Sequence, residues 1–547
     1  MITKLDDGKT LINGVELVYV SGSCLPFFKL KHKNKDIQEI NFNDFTKIFK
    51  FMQSHLKDYF TMGTLYNAYQ EKKDGELLTK NPLNHEIILS DSGGLQQARR
   101  GKKFDDKTKR DIYLHQAKYS DLAMTFDEMP FKPIEANKQA GVNLMATRCY
   151  IREMIDISAK ASADEIAKQI EVFDEVDARA TLAPIIHGFR PNPEYFRGFD
   201  DNTYLDYAKV LLDNINTDSS HVGGLSFASM TVAADNRIGI LKSLQYIPKT
   251  LWSKDIDTKN LENIHLLGLA SPQRLMTILS LVKSNLIDPR VKRISFDSTA
   301  LTKAYVVGRV HKNRAEFDEP GYYKPELTLK DYKDPSAKNV RQYYQNVYNY
   351  FKDYEDLMFD SWEDLADHSL NNGSKEKTAD QIKANGGEGS DFHMKVLQHV
   401  RLCTMYATWC YLEQMEDYID GKRSSRDFPY GKEMWAIYDS IENDITDEET
   451  LHEVVEMHYS KVKDRMDFGV DTIEQYEKEL KRISDHATKG NQEGDILFGD
   501  NVDKLHKAHE DQIAQAQKKI DNHNFMRRSK KKRVDFENEL KITDSLF

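Results

Sequence analysis

The stretch Ile87-Ile88-Leu89-Ser90-Asp91-Ser92-Gly93-Gly94 joins a short apolar run to a polar, glycine-containing turn. An apolar run of this length is typical of a buried parallel strand, and the turn marks the point where the strand ends. Similar runs recur through the first three hundred residues, separated by segments long enough to hold a helix. In chain order the eight runs cover residues 17–20, 60–63, 87–90, 122–126, 182–186, 221–225, 264–268 and 294–296.

Eight strand–helix units predict the fold class: an α/β chain with a (β/α)8 barrel of the TIM type, for which about 250 residues are typical. We place this barrel at residues 1–315. An open, doubly wound sheet would give the same alternation of strands and helices. The count of eight favours the barrel over the open sheet.

The sequence changes character after about residue 315. Apolar positions there follow helical spacing, as in Val396, Val400, Cys403, Ala407 and Cys410, and charged residues are dense. We therefore expect a mostly helical C-terminal region over residues 316–547. Glycine- and asparagine-rich segments predict a flexible loop near 372–390, which divides this region into two modules.

Composition excludes several classes of protein. No run approaches the roughly 18 apolar residues of a membrane span, and the N-terminus has no secretory signal pattern. Four widely spaced cysteines give no disulfide framework, so we expect a cytoplasmic protein, in the host cytoplasm if a phage encodes it. A net charge of −11, from 77 Lys plus Arg and 88 Asp plus Glu, argues against a protein that coats nucleic acid but permits a local basic face.

Carboxylates follow three of the apolar runs, at the barrel edge where active sites form. They are Asp91, Asp127 and Asp297. Each residue alone could cap a helix or form an Asx turn. Three of them at one edge, with glycines that let a ligand approach the backbone, predict an active site.

The segments around these residues resemble the tRNA-guanine transglycosylase family, whose members exchange a guanine for a deazaguanine. Six short motifs carry the resemblance in the family's order, over roughly residues 15–310. They are Ser90-Asp91-Ser92-Gly93-Gly94-Leu95-Gln96, Phe126-Asp127-Glu128, Ile186-His187-Gly188, Val222-Gly223-Gly224-Leu225-Ser226, Leu267-Gly268-Leu269-Ala270-Ser271-Pro272 and Phe296-Asp297-Ser298.

The resemblance implies a role for each matching residue. Asp297 matches the nucleophile that forms a covalent glycosyl ester, and Asp91 matches the general acid/base. Asp127 would accept the N1–H and N2–H donors of guanine. The other base-binding candidates are Ser92, His187, Gly223, Gly224 and Leu267, with His187 and the Gly224 N–H directed at O6.

Departures from the family pattern affect the expected substrate. The family's tRNA enzymes carry a C-x-C-x-x-C zinc site, but no cysteine lies between Cys149 and Cys403 here, so we expect neither a zinc site nor a cofactor. His399, Cys403 and Cys410 form an alternative metal set, which we read instead as part of an apolar helix face. The chain is most similar to the DpdA-type enzymes of phages and bacteria, which insert deazaguanines into DNA.

We therefore expect DNA and a free deazaguanine base as partners, with no membrane partner. The alternatives are the same exchange on tRNA, a non-catalytic nucleic-acid-binding subunit of such an enzyme, and an unrelated barrel enzyme acting on a sugar or small carbonyl compound. The presence of both Asp91 and Asp297 argues against the non-catalytic subunit, and the absence of a catalytic Lys or paired Glu at strand ends argues against the third. The sequence gives no oligomeric state.

Basic residues near the two predicted catalytic carboxylates are candidates for phosphate contact, because a base must leave the stack before its sugar can react. Those assigned to the nucleic-acid backbone are Arg99, Arg100, Lys102, Lys103 and Lys303. Lys107, Lys109 and Arg110 extend the first group. The alternative interpretation is an ordinary solvated helix face.

Overall fold

A computed structural model describes much of the chain, and all structural statements below concern those parts. They are residues 2–22, 44, 47–56, 59–74, 87–94, 97, 103–128, 131–133, 148–150, 153–187, 203–228, 261–268, 272–297, 309–311, 325–328, 333, 338–369, 375–427, 432–443, 445, 450, 453 and 454.

The described chain is a mixed α/β structure built on one large, mainly parallel sheet. Each of the eight predicted apolar runs contributes to a strand of this sheet. The strands are β1 (Ile2–Lys4), β2 (Thr10–Ile12), β3 (Val15–Gly22), β4 (Phe60–Asn67), β5 (Ile87–Asp91), β6 (Leu122–Met124), β9 (Thr181–Ala183), β10 (Ile185–Ile186), β11 (Gly224–Phe227), β12 (Asn263–Leu266) and β13 (Arg293–Asp297). Two antiparallel pairs lie outside it, β7 (Phe131–Pro133) with β8 (Arg148–Tyr150) and β14 (Arg309–His311) with β15 (Pro325–Thr328).

The order of the parallel strands nearly closes the sheet into a barrel. Pairing runs β10-β11-β12-β13-β3-β4-β5-β6-β9, and the two end strands of this path are separated in sequence by Pro184 alone. The missing N–H of proline breaks one predicted run into two short strands. A bridge between Leu182 and Val222 also joins β9 to the segment before β11. The predicted barrel-like α/β architecture is therefore confirmed, whereas an open sheet is not what forms.

Helices follow many of the strands and continue into the C-terminal part. They are α1 (Ala68–Asp74), α2 (Asp106–Tyr119), α3 (Glu153–Glu175), α4 (Thr203–Leu212), α5 (Pro272–Lys283), α6 (Lys338–Phe351), α7 (Trp362–Asp367), α8 (Lys375–Ala384), α9 (Asp391–Ile419) and α10 (Lys432–Asn443), with a 3-10 turn at Ser425–Asp427. In the parts that the structure describes, no helix is both long and apolar enough to span a membrane.

Alternate residues of the strands serve two different cores. On β3, Leu17 and Tyr19 belong to the outer core between sheet and helices, whereas Val18 and Val20 belong to a smaller cluster inside the barrel. The outer core extends without a break into Val396 and other residues of α9. Lys283 at the end of α5 also donates to the Tyr418 carbonyl at 2.8 Å. The C-terminal helices thus pack on the barrel, and the boundary at 315/316 stays a prediction.

Residues 372–390 differ from the predicted loop in one respect. Helix α8 occupies Lys375–Ala384, inside the interval assigned to a flexible connection. Gly386, Gly387 and Gly389 follow it with positive φ angles. Ser390 then accepts from the His393 N–H and begins α9. The glycines therefore mark a tight turn between two helices, because only glycine adopts these angles without strain.

Candidate active site

The three predicted carboxylates meet at the carboxyl end of the parallel strands. Asp91 ends β5, Asp297 ends β13, and Asp127 follows β6. The negative charges of Asp127 and Asp297 both act on Asp91 and raise its pKa. The sequence prediction that they share one site is consistent with this arrangement, since parallel strands bring their carboxyl ends to one edge.

The surroundings of Asp91 shift its pKa toward neutrality. Burial is the largest influence, and together with the two neighbouring carboxylates it raises the pKa of Asp91 to about 6. Two donors oppose this effect. Asn67 Nδ2 lies 2.6 Å from Asp91 Oδ2, and the Gly93 amide lies 3.4 Å from Oδ1. Asp91 therefore exchanges a proton within the range that general acid/base catalysis requires.

Asp127 is buried and held by an imidazole. His187 Nε2 lies 2.8 Å from Asp127 Oδ2, and the histidine ring is only 1 % exposed. Gly94 borders the other carboxylate oxygen, since a Cβ at this position would lie 2.0 Å from Asp127 Oδ1. A glycine is required here because Asp127 occupies the space of a side chain. The structure shows that His187 Nε2 contacts Asp127, and the predicted contact of His187 with the base stays a prediction.

Asp297 is also buried, with one oxygen fixed by the backbone. The Gly268 amide donates to Asp297 Oδ1 at 2.7 Å. His265 Nε2 lies 3.5 Å from the same oxygen. The Gly268 amide therefore fixes the orientation of this carboxyl group and leaves its other oxygen, Oδ2, without a contact to that amide.

Ser92 and Leu267 lie close to these carboxylates in sequence and are placed at the same end of the strands. Ser92 is fully buried, and its Oγ has no hydrogen-bond partner within the described residues. A buried hydroxyl left unpaired costs free energy that a bound polar group would recover. Leu267 packs against the cluster inside the barrel. Both positions suit a pocket wall.

Gly223 and Gly224 are a correction to the predicted site. The predicted sixth strand covered residues 221–225, whereas β11 runs Gly224–Phe227. The two glycines therefore lie at the amino end of the strand, away from the carboxylate edge. Gly224 faces Asn263, because an added Cβ would lie 2.4 Å from the Asn263 carbonyl oxygen. The close approach of the neighbouring strand at Asn263 therefore accounts for a glycine at position 224 without a bound base.

A polar network fills the amino end of the barrel beside Gly224. Arg293 Nε donates to Glu16 Oε2 at 2.8 Å, and Thr61 Oγ1 donates to Glu16 Oε1 at 2.8 Å. Arg293 Nη1 also lies 3.4 Å from Asn263 Oδ1. Burial acts to raise the pKa of Glu16, but Arg293, Thr61 and Lys9 together lower it below its ordinary value. The predicted site, with Asp91 and Asp297, lies at the opposite end of these strands.

Of the basic residues between positions 99 and 110, only some are available to bind nucleic acid. Lys109 is buried against Glu165, with Nζ 2.9 Å from Oε1, and Arg110 forms an ion pair with Glu175. Lys103 is 76 % exposed and makes a single ion-pair contact of 3.3 Å to Glu128, the last residue of the Phe126-Asp127-Glu128 motif. Lys103 is therefore the described residue best placed for phosphate. Arg99, Arg100, Lys102 and Lys303 lie outside the described residues.

The C-terminal histidine and cysteines belong to a packed helix. His399 Nδ1 lies 2.9 Å from the Leu365 carbonyl oxygen, and burial lowers the pKa of His399 to about 4. Cys403 Sγ lies 3.7 Å from His399 Nε2. Cys410 is buried in the outer core. Among the described residues, no group of three or more His, Cys, Asp or Glu side chains is arranged to hold a metal ion.

Two residues of the site were missed in the sequence. Asn67 ends β4, and its amide contacts Asp91. His265 lies within β12, between two residues of the outer core, Ile264 and Leu266. The signal for His265 was its polarity, because strand alternation places such a residue on the face opposite its apolar neighbours. No comparable signal identified Asn67.

No family model matches this chain, and no curated protein is similar to it. Asp91, Asp127 and Asp297, with the motifs that contain them, are therefore the features that bear on function.

Proposed function

We propose that this protein is a base-exchange transglycosylase on a (β/α)8 barrel, which replaces a guanine in DNA with a 7-deazaguanine derivative. One observation carries the proposal: Asp91, whose pKa is raised to about 6, lies within electrostatic reach of Asp297, whose Oδ1 a backbone amide holds. One carboxyl group for proton transfer beside one for attack is the pairing that retaining glycoside chemistry uses.

In the first half-reaction, Asp297 attacks the sugar carbon that bears the base. Because Oδ1 is held by the Gly268 amide, we assign the attack to Oδ2. A C1′–O bond forms as the C1′–N9 bond breaks, and the electron pair of that bond stays with the purine. Protonated Asp91 gives its proton to the departing guanine, so guanine leaves as a neutral base.

In the second half-reaction, the incoming deazaguanine attacks the same carbon. Asp91, now a carboxylate, takes the proton from the ring nitrogen that forms the new bond. The C1′–O bond breaks, and its electron pair returns to Asp297. Both carboxyl groups are then restored, and no cofactor enters the cycle.

Recognition of the base falls to Asp127. Its carboxylate accepts hydrogen bonds, and guanine presents paired N1–H and N2–H donors that adenine and the pyrimidines do not combine. His187 and Gly94 fix this carboxylate in place. A positioned acceptor discriminates better than a mobile one, because less conformational freedom is lost on binding. Ser92 Oγ, which is buried and has no hydrogen-bond partner among the described residues, is a further polar group for the base.

The choice of DNA rests on the sequence. The chain lacks cysteines at the positions of the zinc site that tRNA-modifying members of the resembled family carry. Lys103, exposed next to Glu128, is available to phosphate of either polymer. The substrate therefore has to be decided by experiment.

Incubation of the purified protein with radiolabelled guanine and either duplex DNA or tRNA tests the proposal. We expect label in the DNA, and none with an Asp297→Ala variant. Label in tRNA alone would replace the substrate while preserving the chemistry. Label in neither polymer, across single- and double-stranded DNA, would contradict the transglycosylase assignment.

A further inference from the structure

His265 lies inside the barrel beside the predicted nucleophile. It is fully buried, and its Nε2 lies 3.5 Å from Asp297 Oδ1 without forming a hydrogen bond to any described residue. Its other ring nitrogen, Nδ1, lies 2.8 Å from Ser295 Oγ. Ser295, His265 and Asp297 thus form a line across two adjacent strands.

The wall of the barrel around His265 differs from the wall opposite. In strand register, His265 lies between Ser226 of β11 and Ser295 of β13. Ser226 Oγ is also buried with no hydrogen-bond partner in the part of the chain that the structure describes. The apolar cluster inside the barrel draws its residues from other strands, among them Val18 of β3, Leu89 of β5 and Met124 of β6. Burying polar groups costs free energy unless they form hydrogen bonds, so a buried imidazole at this position requires a hydrogen-bond partner.

Proton positions decide what His265 does to Asp297. An ionised carboxylate only accepts hydrogen bonds, so attraction requires a proton on Nε2. Ser295 Oγ makes this tautomer available in the neutral ring, because its O–H can donate to Nδ1 and leave the proton on Nε2. The alternative acceptor for that O–H, the Ile264 carbonyl, is more distant at 3.3 Å. Catalytic hydrogen bonds that are long without substrate shorten when it binds.

We propose that His265 is a positioning residue for Asp297. Its Nε2–H and the Gly268 amide together hold Oδ1, so that Oδ2 faces the sugar carbon; Ser295 sets the tautomer. This inference rests on the proposed function for its catalytic consequence. The contact itself, a protonated Nε2 directed at Asp297, is independent of any activity.

Variants of His265 separate positioning from a structural role. His265→Leu fills the space but has no donor, and we expect single-turnover exchange to fall on the order of 100-fold, with KM for the free base nearly unchanged. His265→Gln restores an N–H donor and should recover most of that loss. His221→Gln is the matched control, since His221 forms a comparable pair with Asp174 away from the site, 3.1 Å from Nε2 to Oδ1. Equal exchange in wild type and His265→Leu would overturn the inference.

A second measurement is independent of activity and of the folding of His265→Leu. In protein carrying ¹⁵N-labelled histidine, the ring signals of His265 are those absent from His265→Gln. We expect Nε2 to be protonated in the wild type and its shift to change in Asp297→Ala. An unprotonated Nε2 would overturn the inference even in an active enzyme. If the wild type exchanges no base in any polymer, the proposed function fails, and the Nε2 signal alone decides the His265–Asp297 contact.

Discussion

Asn67 Nδ2 lies 2.6 Å from Asp91 Oδ2, where the ends of β4 and β5 meet. The same side chain accepts from the Gln70 amide through Oδ1 and so caps the start of α1. One residue therefore begins a helix and stabilises the ionised form of the predicted acid/base. The pKa of Asp91 is set by this donor working against burial and two carboxylates.

Replacing Asn67 should change the pH dependence of catalysis. Asn67→Ser keeps an oxygen for the helix cap and removes the amide donor to Asp91, so the pKa of Asp91 should rise above about 6. In the proposed mechanism, release of guanine requires protonated Asp91, so the single-turnover rate of this half-reaction should fall as pH rises through that pKa. We expect the fall at higher pH in Asn67→Ser than in the wild type.

Asp91→Asn is the control for this prediction, since it should abolish the ionisation altogether. An unchanged profile in Asn67→Ser, or a residual transition near pH 6 in Asp91→Asn, would show that another group titrates.

Much of the fold followed from the sequence because buried parallel strands are continuously apolar. The runs around Leu89 and Phe296 are examples, and both belong to the predicted strands. The carboxylates that follow them were predictable from the topology, which places strand ends at one edge. The order of strands alone does not give the register.

Sequence reasoning did not predict the role of a residue where that role depends on strand register or on contact with a residue distant in sequence. Gly223 and Gly224 were assigned to the base from the family resemblance, but β11 begins at Gly224, so both lie at its amino end. The contact between His187 and Asp127 was not predicted, because Asp127 lies on a different strand unit. The role of Asn67 depends equally on a neighbour in space. None of these contacts is encoded in local spacing.

Gly94→Ala should impair base recognition. The new Cβ would lie 2.0 Å from Asp127 Oδ1 and 2.8 Å from the Asp127 carbonyl oxygen, so the carboxylate must move. We expect KM for the free base to rise about tenfold or more, because a tenfold rise corresponds to the free energy of one hydrogen bond to a charged group. Steady-state exchange with varied base measures it.

Gly63→Ala is the matched control, because its Cβ would meet Val18, Ile87 and Leu89 and not Asp127. Both variants should lose stability, but only Gly94→Ala should change KM. A normal KM in Gly94→Ala would refute the role of Asp127 in recognition.

Glu16→Gln should destabilise the barrel without touching the site. The pKa of folded Glu16 lies below its ordinary value of 4.5, so its charge stabilises the fold above that pH, and the contribution disappears as pH falls through the folded-state pKa. At pH 7 we expect a loss of about 2 kcal/mol in the free energy of unfolding, measured in urea.

The difference between Glu16→Gln and the wild type should shrink below pH 4.5. Glu175→Gln removes an exposed ion pair with Arg110 and should have little effect. A pH-independent loss in Glu16→Gln would point to packing instead of charge.

Lys103→Ala should weaken binding of DNA irrespective of sequence. If Lys103 contacts a phosphate, its loss removes about 0.9 from the slope of log affinity against log salt concentration. Arg110→Ala is the control: Arg110 makes two contacts to Glu175, whereas Lys103 makes one contact of 3.3 Å to Glu128, so Arg110→Ala should leave the slope unchanged. Equal slopes in wild type and Lys103→Ala would show that Lys103 makes no phosphate contact and is an ordinary solvated residue.

The covalent intermediate is the most direct test of the mechanism. Wild-type protein mixed with a guanine-containing DNA duplex and no free base, then denatured at once, should yield a protein–DNA adduct, and digestion should map it to the peptide that contains Asp297. The adduct should be absent in Asp297→Asn, and should disappear from the wild type when free base is added. Two results would contradict the assignment of Asp297 as the nucleophile. One is exchange of labelled guanine by the Asp297→Asn variant at the wild-type rate, and the other is an adduct on a different peptide.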